Sequence, residues 1–131
     1  MIALDTNVIV RFLVKDDEAQ AAQALRLIAS QPVYLTLALL METEWVLRKV
    51  YGYTAAQIHD AFELLVRLEY ANFDHPASVR LVLDLFGAGF DFADAVHLAL
   101  AKPAQAFATF DKVLARLAGK KRNLVPVLIP Q

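Results

Sequence analysis

Apolar residues fall along this chain in two rhythms. Short, mainly apolar runs stand at 2–4, 33–36, 70–73, 106–109 and 124–127. Runs of this length leave no room for alternation and predict short strands covered on both faces. Between them the apolar positions space out to a helical period. Asp5, Thr6 and Asn7 make an acidic turn, after which Val8, Ile9 and Val10 resume as a helix with Phe12, Leu13 and Val14. Asp16, Asp17 and Glu18 open a second helix to about residue 29, with Ala22, Leu25, Ile28 and Ala29 as its apolar face. Acids suit a first helical turn, where they meet the positive end of the dipole.

A third helix is predicted at 38–51, ending at Gly52, and Thr54 caps a fourth that reaches about residue 67. Helices at 77–86, 91–101 and 111–118 follow, broken by Gly87-Ala88-Gly89, Pro103 and Gly119. Strands separated by helices predict an α/β fold with a parallel sheet of four to five strands and helices on both faces. The run at 2–4 is read as a central strand. Its terminal Asp5 then lies at the carboxyl edge of the sheet, where open α/β folds place their ligand sites.

Composition narrows this picture. A chain of 131 residues is expected to form a single domain, 1–131. With 58% apolar and 21% charged residues it should fold around a real core. The absence of cysteine excludes disulfide, zinc-thiolate and cysteine-nucleophile chemistry and fits a cytoplasmic location. No leader pattern and no membrane span are expected. The net charge of −1 argues against a basic surface overall. Between 102 and 122, however, six basic residues (Lys102, Lys112, Arg116, Lys120, Lys121, Arg122) face one acid, Asp111, and suggest a local basic edge for nucleic acid.

The candidate chemistry is acidic. Asp5, Asp94 and Asp111 stand at strand ends or helix starts. Each has a plain alternative as a helix cap, and Asp91-Phe92-Ala93-Asp94 reads as a capping box. Glu42 has Ala38, Leu39, Trp45 and Val46 three and four residues away and is placed on the buried face of its helix. Glu44, with Arg48 four residues on, reads as an exposed ion pair. A buried carboxylate needs a compensating cation. Four carboxylates converging on one polar cleft would suit magnesium or manganese, the hard cations of phosphodiester hydrolysis. His97, three residues after Asp94, is read as a structural histidine, and His59 and His75 as surface and turn residues.

These residues resemble the PIN-domain nucleases, and among them the VapC-type toxins of prokaryotic toxin–antitoxin pairs. The resemblance rests on Asp5-Thr6-Asn7-Val8, on Glu42 before Trp45-Val46-Leu47, on Asp91-Phe92-Ala93-Asp94-Ala95 and on Thr109-Phe110-Asp111, in that order along nearly the whole chain. It implies a three-layer α/β/α sandwich and an Mg²⁺- or Mn²⁺-dependent endoribonuclease. The acidic site would be Asp5, Glu42, Asp94 and Asp111, with Asp5 and Asp94 closest to the metal. Asn7 and Thr109 would be polar support, and Asp91 a cap or outer acid. It further implies an RNA substrate, a cognate antitoxin that covers the site, and a homodimer. The helices at 22–29 and 38–51 would offer the antitoxin a surface. The alternatives are a housekeeping RNA-processing nuclease, a metal-dependent DNase and a non-catalytic PIN binding module. A phosphotransferase of the haloacid-dehalogenase kind needs a second Asp at position 7, where this chain has Asn7.

Overall fold

The computed structural model describes residues 1–131, which form two compact units, Met1–Pro76 and Ala77–Gln131. In the first unit β1 (Ile2–Ala3) leads to α1 (Thr6–Val14), α2 (Glu18–Ser30), β2 (Val33–Leu35), α3 (Leu37–Lys49), α4 (Ala55–Val66) and β3 (Ala71–Phe73). The strands pair in the order β1-β2-β3, all parallel, with Ile2 opposite Val33 and Val33 opposite Ala71. Parallel pairing is possible because a helix crossover separates each strand from the next.

The central strand of this sheet is β2, whose Val33 and Leu35 are fully buried. The strand expected to be central, β1, is an edge here, and Ile2 is 40% exposed. A three-residue apolar run does not encode how many neighbours the strand will have. The helices pack through Ile9, Val10 and Phe12 of α1, Leu37, Leu40 and Leu47 of α3, and Ile58, Phe62 and Leu65 of α4. On α2 the buried positions are Ala24 and Ile28, whereas Leu25, expected on the inner face, is more than half exposed.

Side chains at the helix starts fix where the chain turns. Asp17 caps α2, and Thr36 caps α3 by accepting from the Leu39 N–H. Asp74, just past β3, accepts from the Leu37 N–H and so ties the end of β3 to the start of α3. Thr54 and Gln57 form a reciprocal capping box on α4.

The second unit runs α5 (Pro76–Gly87, beginning at the boundary), α6 (Phe92–Leu100), β4 (Phe107–Ala108), α7 (Lys112–Ala118) and β5 (Val127–Leu128). β4 and β5 pair in parallel. The α/β class with parallel strands is as expected, with the five strands divided into ladders of three and two. α5 stops by a left-handed cap. The Phe90 N–H reaches the Leu85 carbonyl and the Gly89 N–H the Phe86 carbonyl, with Gly89 at φ +101°. That φ suits glycine, because a side chain there would be strained. The turn delivers buried Phe90 and then Asp91, the cap of α6. An edge-to-face pair of Phe86 and Phe92, 5.2 Å between centroids, locks α6 against α5.

Candidate carboxylate site

Asp5 follows β1 and caps α1: its Oδ1 accepts the Thr6 N–H at 2.8 Å. The cap holds the carboxylate at the positive end of the helix without burying it. Asp5 and Asn7 share a pocket of about 270 Å³ with Glu42, Arg11 and Tyr51. The first unit therefore brings together three of the predicted site residues, two of them carboxylates.

Arg11 and Tyr51 were not anticipated. The Arg11 guanidinium donates to Gln20 at 2.7 Å, Asp16 at 3.0 Å and the Tyr51 hydroxyl at 3.2 Å, and Tyr51 donates to Asp16 at 2.9 Å. The Tyr51 hydroxyl, with the charge of Arg11 behind it, holds the Asp16 carboxyl below its ordinary range. Hydrogen bonding to Tyr51 and the charge of Asp16 together raise Arg11. Lys15, at φ 62°, is the non-glycine residue in the left-handed region that folds Asp16 back onto Arg11. Arg11 is legible as a polar position four residues after Asn7 on the same helix face. Tyr51, 40 residues along the chain, has no local signature.

The two glutamates of α3 exchange the places expected for them. Glu42 is exposed on the pocket rim, and Glu44 is the buried one. The inner stripe of α3 is Leu37, Leu40, Glu44 and Leu47, with Leu39 and Thr43 beside it, while Trp45 is 53% exposed. Almost every face of α3 carries apolar residues, so polarity alone could not set its rotation. Arg48 compensates Glu44 with two hydrogen bonds, at 2.7 and 3.3 Å, so this buried acid needs no metal. Arg48→Met, which strips a buried carboxylate of its partner, should cost about 1–3 kcal/mol in urea unfolding. Glu44→Leu/Arg48→Met should recover most of that loss, and a double variant as unstable as the single one would contradict this balance.

In the second unit Asp91 caps α6 by accepting the Asp94 N–H, and Asp111 caps α7 by accepting the Leu114 N–H. The Thr109 hydroxyl accepts the Asp111 N–H at 3.0 Å and fixes the loop that carries the acid. Asp94, in the first turn of α6, is half-buried. Its carboxyl is raised above the ordinary range, first by burial and then by the charges of Asp91 and Asp111, while His97 pulls the other way. The second unit thus gathers Asp91, Asp94 and Asp111 into one electrostatic group. His97 itself is exposed, not the part-buried residue expected.

A raised native value means that the folded chain binds this proton more tightly than the unfolded one. Stability therefore falls as pH rises from the ordinary Asp range through the raised native value. Asp94→Asn removes that cost. In thermal melts the variant should be more stable than the parent near neutrality, with the advantage vanishing below the ordinary Asp range. A variant less stable than the parent at pH 7 would contradict the repulsion.

The candidate donors are carboxylate oxygens, the chemistry a hard divalent cation prefers. No three Asp, Glu or His side chains form a ready-made cage. Magnesium requires none, since it keeps several waters and binds through one or two carboxylates together with substrate phosphates. The Asp94 group, whose mutual repulsion a cation would relieve, fits such an ion. No helix is long and apolar enough to cross a membrane. Searches of curated proteins and of solved structures return no match. A family model does match: that of the PIN domain, over residues 2–120.

Proposed function

The chain belongs to the PIN-domain family, and from that premise we propose that it is a metal-dependent endoribonuclease acting as the toxin of a type II toxin–antitoxin pair. The observation that carries the nuclease reading is the state of the acids. Asp5, Glu42, Asp94 and Asp111 form no ion pair within the chain, whereas Asp16, Glu44 and Asp84 are each neutralised by an arginine. Acids left without a protein cation, and in the case of Asp94 crowded by other acids, are what a metal-assisted hydrolase requires.

In this reading, as the resemblance to the family implies, Asp5 and Asp94 would be the residues that hold Mg²⁺ or Mn²⁺. When bound, such an ion would supply positive charge for the phosphate and acidify a water. Glu42 and Asp111 orient the attacking water. Asp111 has Oδ1 engaged by the Leu114 N–H, which leaves Oδ2 to take the proton as the water oxygen bonds to phosphorus and the phosphorus–oxygen bond to the ribose breaks, the departing oxygen taking a proton from solvent. Asn7 and Thr109 support the site, Thr109 through its hold on the Asp111 backbone. Asp91 steadies the start of α6.

Six basic residues of the second unit, Lys102, Lys112, Arg116, Lys120, Lys121 and Arg122, are all exposed and supply an edge for the RNA backbone. Leu25, Trp45 and Val50, exposed on or just after α2 and α3, offer apolar surface to an antitoxin. The protein is proposed to work in the cytoplasm as a homodimer, with 1–131 acting as one PIN-like domain.

The test is RNA cleavage by purified protein in Mg²⁺, Mn²⁺ or EDTA. Cleavage should require metal, and Asp5→Asn should lose at least about 100-fold in rate, the scale of one positioned ionisable group. Metal-independent cleavage, or an Asp5→Asn variant at the parent rate, would overturn the assignment. Metal binding without cleavage would favour a binding-only PIN domain.

A further inference from the structure

Beside the carboxylate pocket, and sharing a wall with it, lies a second and larger one. It encloses about 420 Å³ and is lined by Asn7, Val8, Arg11, Gln20, Gln23 and Ala24. Asn7 and Arg11 line both cavities. They stand four residues apart on α1, so one helix face forms the partition. A molecule lying along α1 can therefore occupy both pockets at once.

Three of the side chains lining this second pocket are primary amides, each offering two N–H donors and one carbonyl acceptor. The side chains of Asn7 and Gln23 make no hydrogen bond within the protein. Gln20 is used on one side only: its Oε1 accepts from Arg11 Nε, which turns its NH₂ outward. Arg11 spends Nε on Gln20 and Nη1 on Asp16 and Tyr51. Its Nη2 has no partner, so two charged N–H donors remain on a guanidinium that three side chains hold in place.

We propose that this pocket is a nucleotide subsite that receives an unpaired base of an RNA strand lying across the carboxylate pocket. The amides of Asn7, Gln20 and Gln23 would read the base edge, and Arg11 Nη2 would dock the adjoining phosphate. Amides match the mixed donor and acceptor edge of an exposed base, and a fixed guanidinium matches a phosphate. The volume suits one nucleotide. The subsite deepens the nuclease reading and rests on it for the identity of the ligand. It assigns sequence preference to α1 and α2 rather than to the basic edge, whose charges act on any backbone.

The test measures binding of four labelled single-stranded RNA homohexamers to the full chain in EDTA, alongside cleavage by the same protein in Mg²⁺. Gln23 is exposed and its side chain makes no intramolecular hydrogen bond, so Gln23→Ala should leave the fold intact. The substitution should weaken the preferred hexamer about tenfold and level the preference among the four. Arg11→Lys keeps the charge but loses the fork, and should weaken all four alike. Arg26→Ala, on α2 but outside the pocket, is the charge control and should leave the preference intact.

Unchanged affinity and preference in Gln23→Ala would overturn the subsite, as would a loss in Arg26→Ala equal to that in Arg11→Lys. So would failure of the parent to bind any hexamer. Cleavage is scored separately. A chain that cuts RNA but ignores Gln23 keeps the nuclease and loses the subsite. A chain that binds through Gln23 but never cuts keeps the subsite and loses the nuclease.

Discussion

Helix capping by aspartate is the interaction on which the candidate chemistry depends. Asp5, Asp91 and Asp111 each stand where a helix begins, and each gives one carboxylate oxygen to a backbone N–H of that helix. The bond fixes the side chain, and the helix end favours its negative charge. The second oxygen stays free. A cap and a ligand are usually weighed as rival explanations of an acid. Here the geometry lets one residue be both, because capping uses only half of a carboxylate.

This arrangement ties stability to function. Asp94 accepts no such bond through its own carboxylate. It lies inside the first turn of α6 and feels the charges of Asp91 and Asp111. Its raised proton affinity comes first from burial and then from the charges of the two neighbouring acids. Glu44 shows the other solution: a buried acid on α3 whose arginine is supplied by the next turn of the same helix. One acid is closed by its own chain, and the others remain open to an outside charge.

The sequence disclosed most where a residue carries a backbone duty. Asp17, Thr54, Asp91 and Asp111 were legible as helix starts because capping is local and residue-specific, and Gly89 as a stop because its φ suits no other residue. It disclosed least where rotation or neighbours decide. Glu42 and Glu44 lie two positions apart on a helix apolar nearly all round, so the choice between rim and core awaited the packing of Leu37, Leu40 and Leu47. The rank of β1 in its sheet and the reach of Tyr51 to Arg11 are likewise tertiary facts, without a mark in the local pattern.

The most direct measurement is calorimetric binding of Mg²⁺ and Mn²⁺ to the purified chain, beside Asp94→Asn and the control Glu44→Gln. If open, mutually repelling carboxylates define the site, the parent binds divalent metal, Asp94→Asn loses that binding, and Glu44→Gln retains it. Equal metal affinity in the parent and Asp94→Asn would contradict the account, because the acids would then be caps alone.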